Sequence, residues 1–178
     1  MRSLSDHLAN YADYHRDRRN IATHVLGIPV IVLAVAALLS RPVVFVGGLP
    51  WSPAIVAIAA TCAFYFRLDR RFGVTMTFLM AAAAAFGAWV AALSTAVWLA
   101  VSLGMFFGGW VLQFVGHFYE GRKPAFVDDL IGLVVGPLFV VAEAGFALGL
   151  RRELHTEIER RSGPTRVGRP TSPAPSTP

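Results

Sequence analysis

At 178 residues, 55% of them hydrophobic and only 15% charged, with a mean hydropathy of +0.55, the chain is too apolar for an ordinary soluble domain. Its net charge of +5 does not point to nucleic acid, because the cations are scattered among loops and tails, as they are where basic residues mark the cytoplasmic side of a membrane protein. Cys62 is the only cysteine and lies in an apolar run, which excludes an internal disulfide or thiolate cluster and leaves nitrogen and oxygen as ligands for any metal.

The polar first twenty residues do not read as a cleavable signal peptide. Residues 3–19 predict a short amphipathic helix along the headgroup region, capped by Ser3 or Ser5, with Leu4, Leu8, Tyr11 and Tyr14 on its apolar side. Residues 20–40 form the first span, with Pro29 near its start and Arg41-Pro42 closing it. A Gly/Pro-rich connection over 43–53 contains Gly47-Gly48 and an interfacial Trp51. Residues 54–66 are short for a crossing and become long enough if Trp51 and Arg67 snorkel. A basic turn (Arg67, Arg70 and Arg71 around Asp69) precedes two further spans, 74–93 and 96–116, separated by Ser94-Thr95. A loop with Arg122, Lys123, Asp128 and Asp129 follows. The last apolar run, 130–150, is interrupted at Gly136-Pro137 and carries Glu143. Residues 151–161 predict a charged helical extension, and 162–178 read as a disordered Pro/Ser-rich tail.

The expected fold is all-α: a multi-pass transmembrane helical bundle, with residues 1–161 as one integral-membrane domain. Loop charges are satisfied by four crossings, with the N-terminus and the 120s loop both cytoplasmic. The basic C-terminal extension belongs on that side too. The last apolar run is then a re-entrant hairpin broken at Gly136-Pro137, the alternative being a Pro-kinked fifth span. The membrane is a bacterial inner membrane, or the endoplasmic reticulum if the source is eukaryotic.

Ionisable groups at the rim of a span are costly to bury unless paired or ligated, which makes them functional candidates. The stretch 113–124 reads QFVGHFYEGRKP and sets Gln113, His117 and Glu120 on one helical face. His117 and Glu120 can share a divalent metal or pass a proton, or the helix simply ends there in polar residues. The topology brings His15, His24 and His117 to the same membrane face, with Asn20 on the face of His24, whereas His7 and His155 read as solvated. A straight helix would set His15 and His24 on opposite sides, so a shared site requires the chain to bend around residues 16–20. Such a nitrogen and oxygen donor set suits non-haem Fe(II), with Zn and Mn as competitors.

The patterns Y-x2-YH at Tyr11–His15, N-x3-H-x2-GIP at 20–29 and QF-x-GH-x2-EGRKPA at 113–125 resemble those of the membrane-bound 2-hydroxy fatty acid (2-hydroxypalmitate) dioxygenases, over roughly residues 4–152. The resemblance implies a multi-pass enzyme using Fe(II) and O2 for α-oxidation of long-chain 2-hydroxy fatty acids to the acid one carbon shorter. It implies catalytic and metal-ligating roles for His15, His24, His117 and Glu120. A 2-hydroxy carboxylate can chelate iron while its alkyl tail stays among membrane lipid. Arg122 or Lys123 would pair with the carboxylate. Asn20 and Gln113 would bind the substrate or back the metal ligands. Glu143 would be a ligand, an orienter of a histidine or half of an ion pair. Two other readings stand beside this one: a non-enzymatic membrane scaffold or carrier whose histidines cap helices, and a haem protein with two axial histidines. Oligomeric state is not legible.

Overall fold

A computed structural model describes residues 2–124 and 130–168, where seven helices and one small hairpin are found. Asp128 and Asp129 of the predicted loop, and the tail from 169 onward, lie outside the described residues.

Helix α1 (Leu4–Ala12) starts at Ser3, whose hydroxyl accepts from the Asp6 amide while the Asp6 carboxylate accepts from the Ser3 amide. Its apolar side packs on protein. Leu8 and Ala12 are fully buried, and the helix packs against two later helices, α6 and α7, described below. A buried leucine contributes about 2 kcal/mol, more than an exposed helix face offers. The helix ends at Ala12, and α2 (Arg18–Ser40) begins only after the Asp17 carboxylate has capped it by accepting from the Arg19 amide. The chain therefore bends over 13–17, overlapping the bend that a shared histidine site requires.

The connection after α2 is a two-stranded antiparallel hairpin, β1 (Val44–Val46) and β2 (Leu49–Trp51), turned by Gly47 and Gly48 at φ +60° and +80°. Such a turn is open to glycine without steric cost. Helices α3 (Pro53–Leu68) and α4 (Arg70–Ala91) follow, with Asp69 capping α4 through bonds from the Arg71 and Phe72 amides. Helix α5 (Thr95–Glu120) is capped by Ser94 and stopped by Gly121 in the left-handed region. It extends four residues beyond the apolar run, which carries His117 and Glu120 on continuous helix. Helices α2, α4 and α5 are each long and apolar enough to cross a membrane, while α3 is a shorter apolar helix.

Helix α6 (Gly132–Ala147) runs through Gly136-Pro137 without interruption, unlike the break the sequence suggests. Pro137 lies in the second turn, where it forfeits only the bond to the Leu133 carbonyl. The break lies beyond Ala147, where Gly149 and Arg151 adopt φ of +74° and +54°. From that elbow α7 (Arg152–Ser162) departs at 115° to α6. The elbow is pinned by Arg151, whose guanidinium donates to both Asp69 carboxylate oxygens at 3.2 and 2.8 Å.

Two kinds of packing result. Helices α2 and α5 lie close through small residues. A Cβ on Gly109 would meet the Gly27 carbonyl and the Ile31 side chain, and one on Gly116 would meet Asn20 and His24. The larger side chains gather instead around α1 and α6, where Leu8, Tyr11, Leu138, Phe139 and Phe146 meet Tyr65, Met76 and Ile158.

Candidate metal centre

His15 leaves the bend after α1, His24 lies two turns into α2, and His117 lies near the end of α5. Ring centroids are 4.5 Å apart for His15 and His24, and 4.9 Å from each of these to His117. One ligand atom from each of the three falls within 4.8 Å of the others, and all three rings are buried.

The hydrogen bonds define how the rings are used. His15 Nδ1 lies 2.7 Å from the Tyr11 carbonyl, and His24 Nδ1 lies 2.9 Å from the Asn20 carbonyl. A carbonyl only accepts, so both Nδ1 atoms carry the proton and both Nε2 atoms are left as acceptors. Those two Nε2 atoms face each other at 3.1 Å. Two lone pairs at that distance repel unless a cation lies between them. Burial, with His24 and His117 close by, holds His15 well below its ordinary 6.5, so a shared proton is disfavoured. His117 Nδ1 is buried with no hydrogen-bond partner among the described residues. The donor set fits a divalent metal ion: neutral imidazoles, backbone carbonyls orienting two of them, and acceptor nitrogens turned together.

The surroundings fix His15 in particular. Tyr11 stacks on its ring at 4.1 Å and 2° between planes, with Phe139 against both rings. Arg16 donates through Nε to the Ala12 and His15 carbonyls, and its guanidinium lies 3.5 Å from Glu143. Of the alternatives for Glu143, its contact is thus the ion pair.

Glu120 is engaged away from the imidazoles. Oε2 accepts from the Arg16 amide at 3.0 Å, the Asp17 amide at 2.7 Å and the Asn20 side-chain amide at 3.1 Å. Oε1 accepts from Arg166 at 2.9 Å. Both oxygens are committed to holding the bend that carries His15, and Glu120 is not one of the three grouped ligands. Asn20 extends this network, its side-chain amide also donating to the Tyr14 carbonyl.

Gln113 shares a cavity of about 70 Å³ with His24 and His117, walled by Tyr11, Ile28, Trp110 and Leu133. Arg122 and Lys123 line a separate polar cavity of about 610 Å³ with Arg16, Arg161 and Arg166, where Arg122 donates to the Asp13 carbonyl. His7 is buried edge-on against Phe64 rather than solvated, because α1 turns that face inward. His155 is half-buried and stacks on Phe146 at 4.6 Å.

Residues 163–168, part of the predicted disordered tail, form a strap over the bend. Arg166 exchanges backbone bonds with Arg16 and Arg18 at 2.8 Å, and the Gly168 amide donates to Asp17. Backbone pairing and charged hydrogen bonds hold this strap, and composition registers neither. The sequence placed Tyr11 only on the apolar side of the first helix, and the one signal for Arg16 is that a cation adjoins His15. Nothing in the tail's sequence signals Arg166.

Apolar helices, three of them long enough to cross a membrane, bring three buried imidazoles together at one end, an arrangement able to hold a metal ion. The chain matches the family described as Mpo1-like 2-hydroxy-palmitic acid dioxygenase over residues 1–148, and it belongs to that family. It is similar to the 2-hydroxy-palmitic acid dioxygenase MPO1 of Saccharomyces cerevisiae, with 28% identity over 166 residues covering 88% of this chain and 87% of the yeast protein. No solved structure matches the chain significantly.

Proposed function

We propose that the protein is an Fe(II)-dependent dioxygenase that α-oxidises long-chain 2-hydroxy fatty acids, with His15, His24 and His117 holding the iron. The facing Nε2 atoms of His15 and His24, with both Nδ1 protons already committed to carbonyls, carry this reading. Family membership supports the reaction class. Three imidazoles leave open positions on a first-row metal, which suits joint binding of a chelating substrate and dioxygen. Iron supplies the redox chemistry with O2, for which spin-paired organic side chains are unsuited. Overall, one O2 and the 2-hydroxy acid give the shortened acid, carbon dioxide and water. The chain's own part is to orient the imidazoles, exclude bulk water and receive the substrate's head beside Gln113. Glu120 acts as a positioning residue that fixes the His15 bend. A haem reading, which would need the two imidazole nitrogens about 4 Å apart on opposite sides of one iron, is disfavoured by the 3.1 Å between the facing Nε2 atoms.

Residues 1–161 form one membrane domain in this proposal, crossing four times as α2, α3, α4 and α5. Of the segment that follows α5, the described residues 121–124 begin at Gly121, beside Glu120 and Arg16, and 130–151 end at Arg151 on Asp69. Between those points Leu133 and Pro137 reach as deep as Ile31 and Val32 of α2. With both ends at the imidazole end of the bundle, this segment is read as a re-entrant α6, and the loop charges put the site on the cytoplasmic face.

His15→Ala, His24→Ala and His117→Ala are each expected to lose stoichiometric metal, measured by elemental analysis, and to lose turnover by at least about 100-fold. Mass spectrometry of products from 2-hydroxypalmitate should show the acid one carbon shorter, dependent on Fe(II) and oxygen. Equal rates under anaerobic conditions would remove the oxygenase reading.

A further inference from the structure

Gln113 sits one turn before His117 on α5 and is buried, yet its Nε2 has no hydrogen-bond partner among the described residues. Room for this amide is built in: a Cβ on Gly27 would collide with it. A buried donor left unmade is an expense that a fold keeps when a ligand completes it.

The cavity before Gln113 sets His24 and His117 beside apolar walls of Ile28, Ile31, Val32 and Leu133. Beyond it, Ile31, Val32, Leu133 and Pro137 also wall an apolar cavity of about 280 Å³ that reaches Leu39 and Ala54. From His24 to Leu39 along α2 is about 22 Å at 1.5 Å per residue, which suits a long alkyl chain. The two cavities together have the polarity of an amphiphile: a small head beside the imidazoles and a long tail between helices.

We infer that Gln113 is the residue that recognises the substrate's carboxylate, donating from Nε2 to one of its oxygens, while the alkyl tail enters sideways from the bilayer and lies between α2, α3 and α6. This rests on the proposed function and adds the recognition residue and the tail's route. A neutral amide is the fitting donor here. A cation would add repulsion beside a metal ion, whereas an amide adds direction to a carboxylate whose charge the metal already offsets. Arg122 and Lys123 accordingly stay in their own cavity. Binding should therefore require the metal.

The test uses the full chain in lipid nanodiscs loaded with Zn(II), which permits binding without turnover. Equilibrium binding of 2-hydroxypalmitate is measured with zinc stoichiometry and melting temperature. Gln113→Leu is expected to bind at least tenfold more weakly, with zinc content unchanged and a melting temperature equal to or above wild type, because an unmade donor has been removed. Gln113→Glu, similar in shape, should weaken binding further. Val35→Trp, which fills the tail cavity, should lose 2-hydroxypalmitate but keep 2-hydroxyoctanoate. A loss below tenfold in Gln113→Leu, or a loss accompanied by lowered melting temperature and zinc content, overturns the inference. Wild-type protein that takes up no zinc, or binds 2-hydroxypalmitate no better than palmitate, instead defeats the parent reading.

Discussion

At the imidazole end of the bundle, charges are buried and matched. Glu120 takes four donors, Asp17 accepts from Arg19 and Gly168, and Asp69 holds Arg151. At the opposite end the hairpin leaves Val44, Phe45, Val46 and Leu49 more than 60% exposed, and Arg41 is stacked on Trp98. Both ends close the same helices. The difference shows where precise geometry is needed: polar networks fix side chains in direction, while apolar exposure fixes only a preference for lipid.

The strongest way to break the contrast is Glu120→Ala. It leaves buried donors at Arg16, Asp17 and Asn20 without their acceptor and Arg166 without its partner. The expected loss is about 3–5 kcal/mol of stability, read from denaturant midpoints, together with weaker metal binding through His15. Arg166→Ala should cost only about 1 kcal/mol, because that pair is partly open to solvent.

A matched pair of glycine substitutions sharpens it. Gly116→Ala drives a methyl into Asn20, Thr23 and His24 at the site end, and Gly87→Ala drives one into Ala36 and Ser40 toward the other. Each should cost about 1–3 kcal/mol through overpacking. Gly116→Ala alone should also weaken metal binding, measured by competition with a chromophoric chelator. Equal metal affinity in both variants would mean that α5 does not set the position of His24.

Much of this contrast was legible in sequence. Apolar runs located the long helices, three of which have the length and composition to cross a bilayer, and the nine-residue spacing of His15 and His24 demanded a bend that the structure places at 13–17. What was not legible depends on distant partners. Glu120 sits three residues from His117, a ligand-like spacing, but Oε2 is claimed by amides about a hundred residues earlier and Oε1 by the Arg166 guanidinium. Gly136-Pro137 looked like a break, yet the break is where Gly149 and Arg151 turn left-handed and Asp69 waits for the guanidinium. The strap is invisible for the same reason: its hold is backbone pairing, which no composition encodes. The hairpin hid behind glycines that read as a plain connection.

Acid should separate the two kinds of polar contact within the imidazole end. His15 has its folded value below 6.5, so the unfolded chain protonates first. Its contribution is present above pH 6.5 and is lost as pH falls from there toward the folded value. Asp69 is held below 3.8, mainly by its bonds from Arg151, so its contribution persists until pH falls past that range. Melting curves of metal-free protein should begin to drop near pH 6.5, and Asp69→Asn should change only the more acidic part. A metal-free curve flat from pH 7 to 5 would contradict the buried neutral His15.

The smallest effect belongs to the hairpin. Phe45 is 72% exposed and touches no core, so Phe45→Ser should alter stability in detergent by no more than about 0.5 kcal/mol and leave metal binding untouched. Its consequence should appear only in lipid. Trp51 pairs with Val44 across the hairpin, and its fluorescence should be quenched by brominated lipid in the wild type and less so in Phe45→Ser. The other three tryptophans supply a background, so the comparison is made after Trp51→Phe in each protein. If removing Trp51 takes away none of the lipid-dependent quenching, the exposed strands face water. The apolar end would then need a protein partner rather than a bilayer to account for it.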